Sequence, residues 1–179
     1  IVSKSLMSAY ADAKGRIILA TFASNVSRIQ MAVDAAVANK RKVCVFGRSM
    51  VNVVGIAQEL GYLKAPEGTF IEPEELGHYR DDRLCILTTG SQGEPMAGLS
   101  RMADGSHRQV QIHAGDTVII SASPIPGNEK QVAKVINELA MRGVEVITED
   151  THVSGHACQE EIKLIYSLVK PKYAIPVHG

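Results

Sequence analysis

Short apolar runs alternate with amphipathic segments along most of this chain, and that alternation constrains the fold more than any other feature. The runs RIILATF (16–22) and RLCILTT (83–89) are rich in β-branched and aliphatic residues, which is typical of buried strands. After the first run, Val26, Ile29 and Val33 recur at the spacing of one helix face. Apolar strands that alternate with helices predict an α/β fold, a parallel, doubly wound sheet with helices on both faces.

The same patterns divide the rest of the chain into further strands and helices. Additional strands are predicted at 42–46, 115–123, 144–148 and 173–177, and additional helices at 49–60, 127–143 and 158–169. Residues 62–82 are acidic and interrupted by Pro and Gly, so we expect a connection with one short helical turn. The sheet should therefore contain about five to six strands, which suits one domain of 179 residues.

Composition and charge limit the classes of protein to which the chain can belong. It carries 19 basic and 19 acidic side chains, so a nucleic acid would have to be held by local sites rather than by a general basic surface. No apolar run approaches the ~20 residues that span a bilayer, which predicts a soluble protein with no membrane partner. Cys44, Cys85 and Cys158 form no CxxC pair, and we expect reduced structural thiols in a cytoplasmic protein.

The loops that follow the predicted strands are the candidate ligand site, because in an open parallel sheet they emerge together at the carboxyl edge. They contain ASN after the first strand, GRSM after the second, GSQGEP after the third and SPIPGN after the fourth. Small and polar residues before a helix bring backbone N–H groups and a helix dipole to an anion, which favours phosphate. Caps and turns use the same residue types, so TTGSQGEP could be a clamp for a sugar-phosphate backbone or a structural turn.

Two histidines flank a Ser-Gly pair in the loop after the fifth strand. His152, Ser154 and His156 could contact a phosphate oxygen or form structural hydrogen bonds, and the two imidazoles could instead ligate a metal. The loop differs from the zinc-protease pattern HExxH because Val153 occupies the place of the Glu. His178 follows the sixth strand, and spacing alone assigns it no role. The remaining histidines lie in polar connections and are expected to be solvated: His78, His107 and His113.

Several longer segments carry a family resemblance. GRIILATFASNVSRIQ, GRSM, LTTGSQGEPMAGLSRMADG, GDTVIISASPIPGNE, HVSGHACQEE and PKYAIPVHG occur in the order and spacing of the bacterial ribonuclease J family. The chain resembles its β-CASP domain, the cap domain inserted into a metallo-β-lactamase fold in nucleases that act on RNA and DNA. The resemblance covers nearly all 179 residues, and GSQGEP, HxSGHA and PVHG are specific in combination.

The resemblance implies a cytoplasmic, zinc-dependent ribonuclease with 5′-to-3′ exonucleolytic and endonucleolytic activity in RNA maturation and decay. In this family, RNA with a 5′-monophosphate runs between the lactamase and β-CASP domains, and the enzymes associate as homodimers or tetramers. The expected cofactor is a two-metal zinc site, with manganese or magnesium as alternatives. The expected partners are RNA and a metallo-β-lactamase domain.

The resemblance also implies roles for individual residues. The HVSGH loop is similar to the family's substrate-phosphate site, and His156 matches the histidine that steadies the scissile phosphate. The TFASN segment would supply further backbone contacts, and His178 matches the histidine of the HGE motif, a ligand of the metal centre. The substrate-binding residues implied in this way are Thr21, Phe22, Ala23, Ser24, Asn25, His152, Val153, Ser154, Gly155 and His156.

The chain also departs from the family pattern. The lactamase signature HxHxDH is absent, and the HGE motif is cut after Gly179. The chain begins at Ile1 without an initiator Met, and we expect a single β-CASP domain over 1–179, a piece of a longer protein in which 151–179 lead back to the lactamase domain. We therefore expect the isolated chain neither to bind two zinc ions tightly nor to cleave RNA. The alternative is a stand-alone α/β domain that binds a phosphate or sugar phosphate.

Overall fold

The computed structural model describes residues 2–94, 97–148 and 159–175. Within these residues, five parallel strands form one sheet in the order β2-β3-β1-β4-β5. The bounds are Ile17–Ala20 for β1, Lys42–Val45 for β2, Leu84–Thr88 for β3, Thr117–Ile120 for β4 and Glu145–Thr148 for β5. The central strand is β1, whose Ile18 pairs with Ile86 of β3 on one side and Val118 of β4 on the other.

Helices connect successive strands, as right-handed crossovers in a parallel sheet require. The bounds are Val2–Asp12 for α1, Val26–Ala38 for α2, Arg48–Glu59 for α3, Gly98–Asp104 for α4, Glu129–Met141 for α5 and Gln159–Val169 for α6. Short 3₁₀ helices at Pro73–His78 and Asp81–Arg83 occupy the predicted connection between α3 and β3.

Two apolar cores cover the two faces of the sheet. Ile17 and Leu19 of β1 pack with α1, α2 and α3, whereas Ile18 and Ala20 pack with α4 and α5. This division follows from the strand period of two, which sends successive side chains to opposite faces. The predicted doubly wound α/β fold, with helices on both faces, is confirmed.

The predicted sixth strand at 173–177 is wrong in its described part. Residues 173–175 form no strand, and 176–177 lie outside the described residues. Tyr173 and Ile175 are 79% and 87% exposed, so these side chains belong to neither of the two cores. An apolar run becomes a strand only by pairing, and Pro176 removes one of the backbone donors that pairing would use.

Two helices in the described chain escaped prediction. In α1, Leu6 and Tyr10 are buried one helical turn apart, a pair too small to establish a period. In α4, Leu99 and Met102 are fully buried, but the helix has only 7 residues. It ends at Gly105, whose φ of 84° is a left-handed conformation that favours glycine.

The buried cysteines are structural, as predicted. Cys44 and Cys85 are free thiols inside the two cores. Burial raises the pKa of Cys44 to about 12 and that of Cys85 to about 11, so both remain protonated at neutral pH. Cys158 lies outside the described residues. Among the described helices, none combines the length and the apolar character needed to cross a membrane.

Candidate functional site

The chain diverges at the carboxyl ends of two neighbouring strands, β1 and β4. After β1 it passes through α2 toward β2 at one edge of the sheet, and after β4 it passes through α5 toward β5 at the other edge. The two helices pack on opposite faces. In doubly wound sheets such a switch point opens a crevice that binds ligands. Residues 21–25 and 121–123 follow the two strands, and we call this region the β1/β4 crevice.

Thr21, the first of the predicted substrate contacts, is buried directly after the end of β1. Its Oγ1 donates a hydrogen bond to the Ser121 carbonyl oxygen at 3.2 Å. Its backbone N–H donates to the carbonyl oxygen of Thr88, also at 3.2 Å. Thr21 therefore ties together the ends of β1, β3 and β4, and its hydroxyl proton is already used within the protein.

The remaining residues of the segment lie nearer to solvent. Phe22, Ser24 and Asn25 are exposed, whereas Ala23 is half-buried against the core of α2 and α3. The Asn25 Oδ1 accepts a hydrogen bond from the Arg28 N–H at 3.1 Å and so caps α2. The segment thus presents exposed residues and the positive end of a helix of 13 residues at the crevice.

Arg28 is a crevice residue that the sequence patterns did not reveal. It is buried, and its Nη1 donates to Ser121 Oγ at 3.0 Å. A buried guanidinium beside the loop that follows β4 places a positive charge under the crevice, where low dielectric strengthens its field. The sequence does contain one signal for this residue, because Arg28 lies one helical turn before Ala32, on the apolar face of α2. Arginine is rarely buried without partners, so an arginine on such a face indicates a specific contact.

The GSQGEP loop is fixed by its glutamine to the loop after β4. Gln92 Nε2 donates to the Ser123 carbonyl oxygen at 3.0 Å, and Gln92 Oε1 accepts from the Ile125 N–H at 2.7 Å. Gly93 has a φ of +72°, and a Cβ there would lie 2.5 Å from the backbone of Gln131. TTGSQGEP was interpreted as either a clamp for a sugar-phosphate backbone or a structural turn. The structural turn explains the contacts of Gln92 and the conformation of Gly93.

A second concave region lies at the carboxyl ends of β2 and β3, with a volume of about 670 Å³. Arg48 begins α3, Arg101 lies on α4, and Arg108 lies in the loop that follows α4. These three side chains and His107 form the basic part of its lining, and we call this region the arginine pocket. No Asp or Glu occurs among the described residues that line it.

His107 is a correction to the sequence prediction, which expected a solvated side chain. It is only 8% exposed, and its ring meets Phe46 edge-on at 5.4 Å between centroids. Its Nδ1 accepts hydrogen bonds from the N–H groups of Gln109 and Val110 at 3.3 and 3.1 Å. Burial and then the nearby charge of Arg101 lower the pKa of His107. His78 and His113 are exposed, in agreement with the prediction.

The other predicted site residues lie outside the described part of the chain. These are the HVSGH loop at 152–156 and His178. The described residues contain no group of three or more His, Cys, Asp or Glu side chains that could hold a metal ion. They therefore do not fit a zinc centre by themselves.

Two family models match the chain. The model described as "Ribonuclease J, beta-CASP domain" covers residues 14–139, which include β1 to β4, the helices α2 to α4 and most of α5. The model described as "Zn-dependent metallo-hydrolase RNA specificity domain" covers residues 143–179.

Curated relatives match the chain over nearly its full length. "Ribonuclease J 1" of Streptococcus pyogenes serotype M3 is 52% identical over 100% of this chain and 32% of its own length. "Ribonuclease J" of Corynebacterium glutamicum is 50% identical over 99% of this chain and 25% of its own length. "Ribonuclease J2" of Bacillus subtilis is 44% identical over 99% of this chain and 32% of its own length. The chain thus spans about a third or less of the length of these relatives.

Proposed function

The chain belongs to the ribonuclease J family and carries its β-CASP domain, and from this premise we propose that it is the RNA-gripping part of a zinc-dependent ribonuclease. The observation that supports this function most is the β1/β4 crevice, where the N-terminus of α2 and the buried guanidinium of Arg28 adjoin exposed residues of the 21–25 segment. Backbone N–H groups, a helix dipole and a buried cation together favour an anionic group such as an RNA phosphate.

Phe22 supports a single-stranded nucleic acid as the ligand of this crevice. It is 37% exposed at the crevice, whereas most aromatic side chains of this size are buried in cores. An exposed aromatic ring beside a phosphate site can stack on an unpaired base, which is how many proteins hold single-stranded RNA. Thr21 would take part indirectly, by fixing the position of the segment.

We extend the proposal to residues outside the described part. His156 would steady the scissile phosphate, and His152, Val153, Ser154 and Gly155 would complete a phosphate site with the 21–25 segment. His178 would ligate a zinc centre, or one with manganese or magnesium, whose other ligands belong to a metallo-β-lactamase domain. We expect the 179-residue chain, which lacks HxHxDH, not to cleave RNA.

The same proposal sets the context of the whole enzyme. RNA with a 5′-monophosphate would run between the β-CASP and lactamase domains, to which residues 151–179 would lead. The enzyme would act in the cytoplasm on maturing and decaying RNA, by 5′-to-3′ exonucleolytic and by endonucleolytic cleavage, as a homodimer or tetramer.

Fluorescence anisotropy with a short 5′-monophosphorylated single-stranded RNA tests the RNA grip of the 179-residue chain. Ser24→Glu places a negative charge on an exposed position of the crevice and should weaken binding at least tenfold through repulsion of phosphate. The matched control, Ser8→Glu on α1, introduces the same charge on a helix that precedes β1 and should leave binding unchanged. His156→Ala should also weaken binding, because the imidazole would no longer donate to phosphate.

The ligand class and the lack of cleavage are tested with the same preparation. A sugar phosphate that binds while RNA does not would favour the stand-alone phosphate-binding domain over a ribonuclease part. Incubation of labelled RNA with zinc or manganese should give no cleavage, and metal-dependent products would contradict the assignment of the metal centre to another domain.

A further inference from the structure

The arginine pocket gathers positive charge from three separate elements of the chain. Arg48 opens α3, Arg101 lies in the middle of α4, and Arg108 lies beyond the end of α4. Side chains so far apart in sequence line one concave surface only because the fold brings the ends of β2 and β3 together. The volume of about 670 Å³ lies in the range of small-molecule and cofactor sites, and it exceeds what a few bound waters need.

None of the three guanidinium groups forms a salt bridge or a hydrogen bond with a described residue, and no described Asp or Glu lines the pocket. Arg101 does have an acidic neighbour, because hydrogen bonds from Ser106 and then the charge of Arg101 lower the pKa of Asp104. Arg48 and Arg108 are exposed, so their guanidinium groups are accessible to a ligand anion. Arginine offers several N–H donors in a planar fork, which matches the oxygens of phosphate.

His107 adds a donor of defined orientation to the pocket. Because Nδ1 accepts two backbone N–H groups, the proton of the neutral ring must be on Nε2. Nε2 has no hydrogen-bond partner among the described residues, although the residue is only 8% exposed. Nε2 is not a fully buried atom, so its N–H is open to the pocket, where a ligand oxygen can accept a hydrogen bond from it.

The first turn of α3 contributes in the same direction. Gly47 occupies the N-cap position with a φ of 97° and supplies no side-chain cap, and both Gly47 and Ser49 line the pocket. The first N–H groups of a helix have no partner within the helix, so those of α3 remain available to an anion. Ser49 can add a hydroxyl donor.

We propose that the arginine pocket is a second phosphate-binding site, separate from the β1/β4 crevice, which takes a phosphate group of a nucleotide or of an RNA backbone. If the ligand is an RNA backbone, the inference rests on the proposed function. If the ligand is a free nucleotide, it does not. The strand order places β2 two strands from β1, roughly 10 Å away at ~4.8 Å per strand. At ~3.4 Å or more per nucleotide, a strand of RNA must be several nucleotides long to reach both sites.

Binding measurements on the 179-residue chain test the inference with three probes: inorganic phosphate, AMP and single-stranded RNA of ten nucleotides. Arg48→Ala/Arg108→Ala removes two exposed side chains that hold no other group, so the fold should survive and circular dichroism checks it. The affinity for the probe that occupies the pocket should fall at least tenfold, and the salt slope for RNA should decrease by about 0.7 for each phosphate that the variant no longer neutralises. The control Arg80→Ala/Arg83→Ala removes the same charge before β3, at the other end of the sheet, and should leave affinity unchanged.

The pattern of results identifies the source of the phosphate. Loss of AMP or phosphate binding identifies a free nucleotide or anion, and loss confined to RNA identifies the backbone. If Ser24→Glu weakens RNA binding while Arg48→Ala/Arg108→Ala does not weaken binding of any probe, the inference fails and the proposed function stands. If the arginine variant abolishes AMP binding and no RNA binds, the inference stands and the proposed function fails. As a second measurement, phosphate should shift the ¹⁵N resonance of His107 Nε2, and an unchanged resonance at saturation would overturn the site.

Discussion

Arginines lie at both ends of the sheet, and they differ in what they contact. At the amino end, Arg16 precedes β1 and donates to both carboxylate oxygens of Asp116, from Nε at 2.8 Å and from Nη2 at 2.6 Å. Arg41 precedes β2, and its guanidinium donates to the carbonyl oxygens of Ala13 and Gly15 at 2.7 Å each. At the carboxyl end, the three arginines of the arginine pocket have no such partners among the described residues.

The difference separates a structural use of arginine from a ligand-binding one. At the amino end, the guanidinium groups join loops that are distant in sequence and hold the starts of the strands together. At the carboxyl end, the loops leave cationic side chains to solvent, as expected where a rigid scaffold presents residues to a ligand. The two ends should therefore respond differently to the loss of a polar side chain.

The largest effect is expected for the ion pair at the amino end. Asp116→Ala should lower the free energy of unfolding by about 3–5 kcal/mol, because it leaves the guanidinium of Arg16 without its carboxylate in a mostly buried place. The side chain of Asp116 is 0% exposed and that of Arg16 is 11% exposed. Asp116 also accepts the His113 N–H at 3.0 Å, so the substitution removes a hydrogen bond of the preceding loop as well. Urea unfolding followed by circular dichroism measures the change.

A solvent-exposed pair provides the control for this prediction. Arg80 and Asp82 also form a bidentate contact, but the Arg80 side chain is 76% exposed. Exposed pairs contribute little, so Asp82→Ala should leave the urea midpoint nearly unchanged. Equal losses for Asp116→Ala and Asp82→Ala would show that the amino end does not depend on its buried pair.

The second-largest effect on stability is expected for Gln92 at the carboxyl end, whose side-chain amide both donates and accepts a hydrogen bond. Gln92→Ala should cost about 1–3 kcal/mol, because the Ile125 N–H and the Ser123 carbonyl oxygen lose their partner. Gln109 is the matched control, since it is exposed and no hydrogen bond of its side chain occurs among the described residues. Gln109→Ala should change the unfolding free energy little. If the two variants were equally stable, the GSQGEP loop would not be fixed by Gln92.

Periodicity was sufficient to predict most of the fold. Each of the five strands carries a run of apolar residues, and the long helices carry a repeated apolar face, so local sequence specifies both. The errors occurred where an element is too short to show a periodic pattern, or where a run becomes a strand only if it pairs with another strand. The 7 residues of α4 contain too few turns for a pattern, and the run at 173–177 has strand composition without a described partner strand.

The position of the loops after the strands was predictable from the sequence, but their side-chain contacts were not. Strand order and loop composition place polar loops at the carboxyl edge, because parallel strands all end there. The partners of individual side chains depend on contacts between distant segments, such as Arg28 with Ser121, which are 93 positions apart. Local patterns carry no information on such pairs, which is why His107 was expected in solvent and is buried.

The third-largest effect on stability is expected for Asn25, which caps α2 at the β1/β4 crevice. Asn25→Ala should lower the unfolding free energy by about 1 kcal/mol, because the Arg28 N–H keeps the Asn25 carbonyl oxygen but loses its side-chain acceptor Oδ1 at the N-terminus. Asn128 occupies the same position before α5 but makes no side-chain cap hydrogen bond. The Asn128 Nδ2 donates to Gln92 Oε1 at 3.4 Å, a long and weak hydrogen bond, so Asn128→Ala should still cost less than Asn25→Ala. Thermal unfolding of the two variants compares them directly. A larger loss for Asn128→Ala would contradict the assignment of the cap to Asn25.

The smallest effect on stability is expected in the arginine pocket itself. Arg48→Ala/Arg108→Ala removes two exposed side chains and no described hydrogen bond, so the urea midpoint should stay nearly constant. Added phosphate should raise the midpoint of the unmodified chain, because a ligand that binds only the folded state stabilises it, and should raise that of the variant less. A fall in the midpoint comparable to that of Asp116→Ala would mean that these arginines support the fold, as those at the amino end do. If the midpoint of the variant stays constant and phosphate raises only that of the unmodified chain, the arginines at the carboxyl end bind a ligand rather than support the fold.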